Sequence, residues 1–129
     1  MAIKPSEFFN ILIDNGVDFF TGVPDSLLKD ICLYIDNNVS NNEHIIAANE
    51  GSAIALAAGY YLGKKSSLPL VYMQNSGFGN AINPLLSLCD PEVYSIPMLV
   101  MIGWRGFPGA KDEPQHKKQG KVQLDLMKS

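Results

Sequence analysis

At 129 residues, 47% of them hydrophobic and 18% charged, the chain is long enough for one domain with a true core and too apolar for intrinsic disorder. A formal net charge of −3, with lysines dispersed except at Lys117, Lys118 and Lys121, offers no basic patch to neutralise a phosphate backbone, so nucleic acid is not expected as a partner. No apolar run reaches the length of a membrane span and MAIKPSEFF lacks the apolar core of a secretion signal, which predicts a cytoplasmic protein with no membrane contact.

In chain order, Phe8, Phe9, Leu12 and Ile13 recur at helical spacing after Lys4-Pro5, and Gly16 supplies a stop, so 5–15 reads as a first helix. A short strand follows over 17–21. The GVPDS turn ends in Asp25 and Ser26, either of which can cap a second helix carrying Leu27, Leu28, Ile31, Tyr34 and Ile35 on its apolar side. Polar NNVSNNE closes that helix. Next come a strand at 44–48, a helix over about 50–62, a strand at 68–74, a helix over about 79–88 and a strand at 96–102. Near-continuous apolar strands alternating with helices predict the α/β class, a parallel sheet covered by helices on both faces. The stretch 103–120, GWRGFPGAKDEPQHKKQG, is rich in Gly, Pro and charge and reads as one long loop, of a length that is usually functional or mobile.

Cys32 and Cys89 sit far apart inside apolar patterns with no C-x-x-C, which predicts two reduced buried thiols. With only His44 and His116, and no clustered His/Cys spacing, no protein metal cage is expected.

In sheets of this class ligands collect at the carboxyl ends of the strands. The turns there read GVPDS, NEGS, QNSGFGN and GWRG, and they offer an acid, amides, a hydroxyl, bare N–H groups and a guanidinium. Glu50 follows a strand with Asn49 as the expected N-cap, which puts its carboxylate in the first turn of a helix. The plain reading is that it complements the helix dipole. Its surroundings point further, because Gly51, Ala55 and Ala58, with Ala57 and Gly59 beside them, form a face nearly without side chains, open to another backbone or a flat ligand. An acid at the edge of such a contact is placed to hold or exchange a proton. QNSGFGN has half of a phosphate-cradling pattern, but Ile82 stands where the third glycine of G-x-G-x-x-G belongs, which argues against a dinucleotide-binding domain.

Taken together, GVPDSLLK, AANEGSAIALAAGYYL, QNSGFGN followed by AINP, and MIGWRG followed by PG, KDEPQH and QG resemble, in this order, the phosphonopyruvate decarboxylases, which are thiamine diphosphate enzymes. The resemblance is to their N-terminal, pyrimidine-binding domain and runs over nearly the whole chain. Sulfopyruvate decarboxylase, whose subunits divide the same fold, is a near relative. The resemblance implies that Glu50 hydrogen-bonds the N1′ nitrogen of the cofactor's aminopyrimidine, and that its helix packs at a subunit interface, giving a homo-oligomer. It also implies that Asp25 or Ser26, depending on a one-residue alignment choice, relays protons on the substrate side. Gln74, Asn75 and Ser76 fall where family members line the pocket around the pyrimidine and substrate. Arg105, Lys111 and His116 are candidates for recognising the phosphonate of a small 2-keto acid, chosen on charge alone.

The implied reaction converts 3-phosphonopyruvate to phosphonoacetaldehyde and CO₂. The chain departs from the family pattern at Phe78, where Leu is usual, and at Phe107, where an acid is usual. In the family the diphosphate is held through Mg²⁺ by a G-D-G segment on another domain, and no G-D-G occurs here. The chain is therefore expected to be one incomplete domain over 1–129, C-terminally truncated, inactive alone and in need of a C-terminal diphosphate-binding domain or subunit. Two alternatives remain open: a sulfopyruvate decarboxylase subunit, and a non-catalytic dimerisation module.

Overall fold

A computed structural model describes residues 3–64 and 67–128. Helix α1 (Pro5–Asp14) begins with proline where no intrahelical partner for an N–H exists, and ends at Asn15 and Gly16, the latter at φ +87°. Strand β1 (Val17–Gly22) follows. The Asp25 side chain then accepts the Leu27 N–H at 3.0 Å and starts a 3₁₀ turn (Ser26–Leu28), which feeds α2 (Lys29–Asn38). The remaining elements are β2 (His44–Ile46), α3 (Glu50–Lys64), β3 (Leu68–Gln74), a 3₁₀ turn (Asn75–Gly77), α4 (Phe78–Pro84), a π turn (Leu85–Cys89), β4 (Leu99–Gly103) and α5 (Pro114–Lys128).

All four strands are parallel, in the order β2-β1-β3-β4. Alternation along the strands sorts the core into two layers. Val71 and Met73 face Ala53, Ile54, Ala57 and Ala58 of α3 and Phe78 and Ala81 of α4, whereas Phe20, Leu70 and Tyr72 face Leu12 of α1 and Ile35 of α2. The sheet is thus covered on both faces, as the apolar strands predicted. Because β1 is followed in space by β2 on one side and β3 on the other, the strand order reverses between β1 and β3. That switch point is where the carboxyl-end turns diverge and leave a crevice.

Gly22 shows why the pattern works locally. It pairs with Tyr72, whose ring occupies the space that a side chain at 22 would need; a Cβ there would lie 2.0 Å from the Tyr72 carbonyl. The Tyr72 hydroxyl reaches past it to His44 Nε2 at 2.9 Å, while His44 Nδ1 lies 3.4 Å from Asp36. Burial pushes the His44 pKa down against the pull of Asp36.

Four expectations are corrected. The strand predicted at 96–102 is β4 at Leu99–Gly103: Ile96 is in the core, but Pro97 has no N–H, and the ladder begins only at Leu99 opposite Leu70. The strand predicted at 44–48 pairs only over His44–Ile46. The helix predicted over 79–88 is α-helical to Pro84 and then widens into the π turn. Proline at 84 cannot donate to the Asn80 carbonyl, and that carbonyl lies where a Cβ on Gly51 would be 3.0 Å away, so α3 and α4 meet backbone to backbone. Last, the loop predicted over 103–120 is irregular only to Glu113, and α5 takes up the rest. Pro114 is the first residue of that helix, whereas Gly120 in its interior hid it from the periodicity.

The small-residue face of α3 is also redrawn. Ala57 and Ala58 turn under the sheet, and the outward strip is Ser52, Ala55, Leu56, Gly59 and Leu62. Cys89 is buried and Cys32 half-buried, both as free thiols, and burial together with Asp25 raises the Cys32 thiol to about 11. Among the described residues no helix is long and apolar enough to cross a membrane, and no group of His, Cys, Asp or Glu gathers to hold a metal ion.

Candidate functional site

Glu50 is the first residue of α3, and the Asn49 side chain accepts the Ser52 N–H at 2.9 Å, the capping predicted from sequence. The carboxylate leans across the switch point onto the turn after β3. There Oε2 accepts a hydrogen bond from Asn80 Nδ2 at 2.9 Å, and Oε1 lies against Gly77 so closely that a Cβ on that residue would be only 2.1 Å away. Gly77 is therefore a space requirement of Glu50 rather than half of a phosphate cradle. Glu50 remains half-buried, with one carboxylate held by protein and a bare backbone beside it. That arrangement suits a proton-sharing contact with a flat nitrogen heterocycle, which needs a carboxylate partner and no side chain in its way.

A second cluster forms around Arg105, in the turn after β4. Asn75 is fully buried and uses both ends of its amide on the Arg105 backbone, donating to the carbonyl at 2.8 Å and accepting the N–H at 3.2 Å. It clamps the β3 turn to the β4 turn. The guanidinium donates to Ser26 Oγ, has Nε 3.9 Å from Asp25 Oδ1 and has Nη1 3.6 Å from Asp112 Oδ1. Asp25 is packed tightly as well: a Cβ on Gly103 would sit 2.2 Å from its Oδ2. Asp25 also lines a cavity of about 310 Å³ with Pro24, Cys32, His44, Ile46 and Tyr72.

The structure thus brings Asp25, Ser26, Arg105 and His116 into one network through Asp112, a residue that the sequence reading passed over. His116 Nδ1 is 2.8 Å from Asp112 Oδ1. The available signal was the i, i+4 spacing of Asp112 and His116 at the head of a helix that had been read as loop. Lys111 is exposed and joins none of these contacts. Gln74 donates to Ser76 Oγ within the β3 turn. Asn80, which holds Glu50, is a further site residue that the sequence reading passed over. Phe78 is buried in the core between α3 and α4, and Phe107 is exposed with its ring edge-on to Trp104 at 5.0 Å.

Helix α5 seats this network. Trp104 Nε1 donates to the Gly120 carbonyl at 3.0 Å, and a Cβ on Gly120 would lie 1.8 Å from the Gly106 carbonyl. Backbone meets backbone there, with no flexible side chain to give way. Gly120→Ala is expected to cost about 1–3 kcal/mol of unfolding free energy through overpacking. Urea denaturation of the two proteins checks it, and equal midpoints and slopes would show that α5 is not seated on the Gly106 turn.

Residues 6–128 match the family model described as thiamine pyrophosphate enzyme, N-terminal TPP binding domain. The chain is 41% identical over 126 residues to a phosphonopyruvate decarboxylase of Streptomyces hygroscopicus, covering 96% of this chain and 30% of that protein. It is also 41% identical over 98 residues to a sulfopyruvate decarboxylase subunit alpha of Methanococcus maripaludis, covering 76% of this chain and 56% of that subunit. The subunit alpha of Methanocaldococcus jannaschii is 41% identical over 101 residues, 76% of this chain and 55% of that subunit. The chain therefore spans from 30% to 56% of the length of these relatives. With the carboxylate at the head of α3, the glycine that makes room for it and a family match over almost the full length, the chain belongs to the thiamine pyrophosphate enzymes, in their N-terminal TPP-binding domain.

Proposed function

We propose that this chain is the pyrimidine-binding part of a thiamine diphosphate-dependent 2-keto acid decarboxylase that converts 3-phosphonopyruvate to phosphonoacetaldehyde and CO₂. The observation that carries the reading is the Glu50 carboxylate, fixed by Asn80 and pressed against a residue without a side chain at the switch point of the sheet. When bound, thiamine diphosphate supplies the electron sink for decarboxylation. Glu50 would hold the pyrimidine and exchange a proton with its ring nitrogen, and Asp25 or Ser26, on the neighbouring turn, would move protons on the substrate side. Gln74 and Ser76 would edge the pocket from the β3 turn, with Asn75 holding that turn to Arg105. The cofactor's diphosphate and its Mg²⁺ would be anchored by a partner domain or subunit. The outward strip of α3, with Ile45 beside it, would meet a second copy.

Substrate recognition falls to the Arg105 cluster. Two carboxylates, Asp25 and Asp112, already balance Arg105, so it contributes shaped donors more than net charge. Lys111, exposed on the same segment, adds the positive charge that a second anionic group needs, and His116 adds a ring nitrogen able to hydrogen-bond it. The test is turnover of 3-phosphonopyruvate, 3-sulfopyruvate and plain pyruvate by the complete protein. The doubly anionic substrates should be preferred, and Arg105→Ala should lower kcat/KM for them by roughly 10- to 100-fold, the worth of a charged hydrogen bond. Equal turnover of pyruvate by the parent would sink the anion-recognition reading. A sulfopyruvate decarboxylase is the second reading, favoured by the equal 41% identity to both kinds of relative. The ratio of the first two rates separates them.

A further inference from the structure

Asp112 has more partners than any other carboxylate at the site. Its Oδ1 lies 2.8 Å from His116 Nδ1 and 3.6 Å from Arg105 Nη1, and also accepts the Glu113 N–H at 2.8 Å. Its Oδ2 accepts the Gly106 N–H at 2.8 Å. One side chain therefore joins the turn after β4, the residue ahead of α5 and the first turn of α5. Gly106 completes the joint: it sits at φ +65°, and a Cβ on it would be 2.0 Å from the His116 carbonyl, so the turn and the helix start are in direct backbone contact. The Asp112 side chain is only 11% exposed, unlike a surface pair that water and salt would weaken. The His116 hydrogen bond first, then the Gly106 and Glu113 N–H groups, hold its carboxyl well below the usual carboxylate range.

We infer that Asp112 is a positioning residue for substrate recognition, fixing Arg105 and His116 side by side and orienting the imidazole so that Nε2, not Nδ1, is presented to the substrate. An ionised carboxylate only accepts, so the nitrogen facing it carries hydrogen whether the ring is neutral or charged. Nε2 is then the nitrogen left for an external partner, as a lone pair on the neutral ring or as a donor on the charged one. The inference rests on the reading of Arg105 and His116 as anion-recognising residues, and it adds that Asp112 is what joins the two.

The experiment uses the complete enzyme with thiamine diphosphate and Mg²⁺, ¹⁵N-labelled at histidine, as parent, D112N and D112E. In D112N the His116 nitrogens should move from the Nδ1–H pattern to a mixture of tautomers. KM for the doubly anionic substrate should rise on the order of tenfold, as for loss of an orienting partner, with kcat and the KM for pyruvate changing less. D112E, which keeps the charge, should recover part of both readouts. An unaltered His116 pattern in D112N, or equal KM changes for pyruvate and the dianion, overturns the inference. Should D112N fail to fold, D112A takes its place, because it also removes the acceptor that holds Nδ1–H, and an unaltered His116 pattern there overturns the inference. If Arg105→Ala and His116→Ala leave the preference for the dianion intact, the substrate reading fails, while the tautomer pattern separately reports on Asp112.

Discussion

Glu50→Gln in the complete enzyme is expected to lower turnover on the order of 10²- to 10⁴-fold, the usual worth of a positioned acid–base group, with little change in melting temperature. The substitution keeps the shape of the side chain. Its amide oxygen still accepts from Asn80 Nδ2, which now bonds Oε2 at 2.9 Å, and its amide nitrogen fits the space beside Gly77. Only the capacity to share a proton with a ring nitrogen is removed, so the effect should fall on kcat far more than on folding. Undiminished turnover at saturating cofactor would end the assignment of Glu50. A loss matched by an equal loss of stability would reduce it to a helix-dipole residue worth about 0.3–1 kcal/mol.

Gly77→Ala tests the same carboxylate from the opposite side. A Cβ at 77 would stand 2.1, 2.3 and 2.5 Å from Oε1, Cδ and Cγ of Glu50, so the whole end of that side chain has to move. The obstruction is a flexible side chain, and rotating it aside costs only about 0.5–1.5 kcal/mol. Displacing a reacting group by an ångström, by contrast, costs on the order of 10²-fold in rate. The expected outcome is a protein that folds and unfolds in urea almost as the parent does, yet has lost most of its turnover. Adding Glu50→Gln to Gly77→Ala should take away little more than Glu50→Gln alone, since both changes disable one group. Full additivity of the two losses would show that Gly77 acts on something other than Glu50.

Both predictions depend on contacts that were only half visible along the chain. The N-cap at Asn49 and the place of Glu50 in the first helical turn were legible, because capping chemistry is local and repeats at fixed offsets. The contact that requires Gly77 was not legible, since a glycine needed for close approach looks the same in sequence as any glycine in a turn. The small residues of α3 were recognised, but not their division: Ala57 and Ala58 pack under the sheet, while Ala55 and Gly59 face outward. Periodicity alone does not say which way a stripe of alanines turns. Helix α5 was missed for a related reason. Its interior glycine at 120 lowers local helix propensity, and that glycine is explained only by the Gly106 backbone it lies against.

By itself the sequence determined the α/β class, the chain order of β1 to β4 and α1 to α4, and the family, because apolar alternation, capping residues and turn motifs are each properties of neighbours in the chain. Only the tertiary structure decided the strand order that puts the β1 and β3 turns side by side. It also decided the seating of Glu50 on Gly77 and Asn80, and the joining of Asp25, Ser26, Arg105 and His116 through Asp112. Those contacts link residues from 4 to 80 positions apart, and most of them depend on which crossovers bring one strand end beside another, a choice set by burying both faces of one sheet.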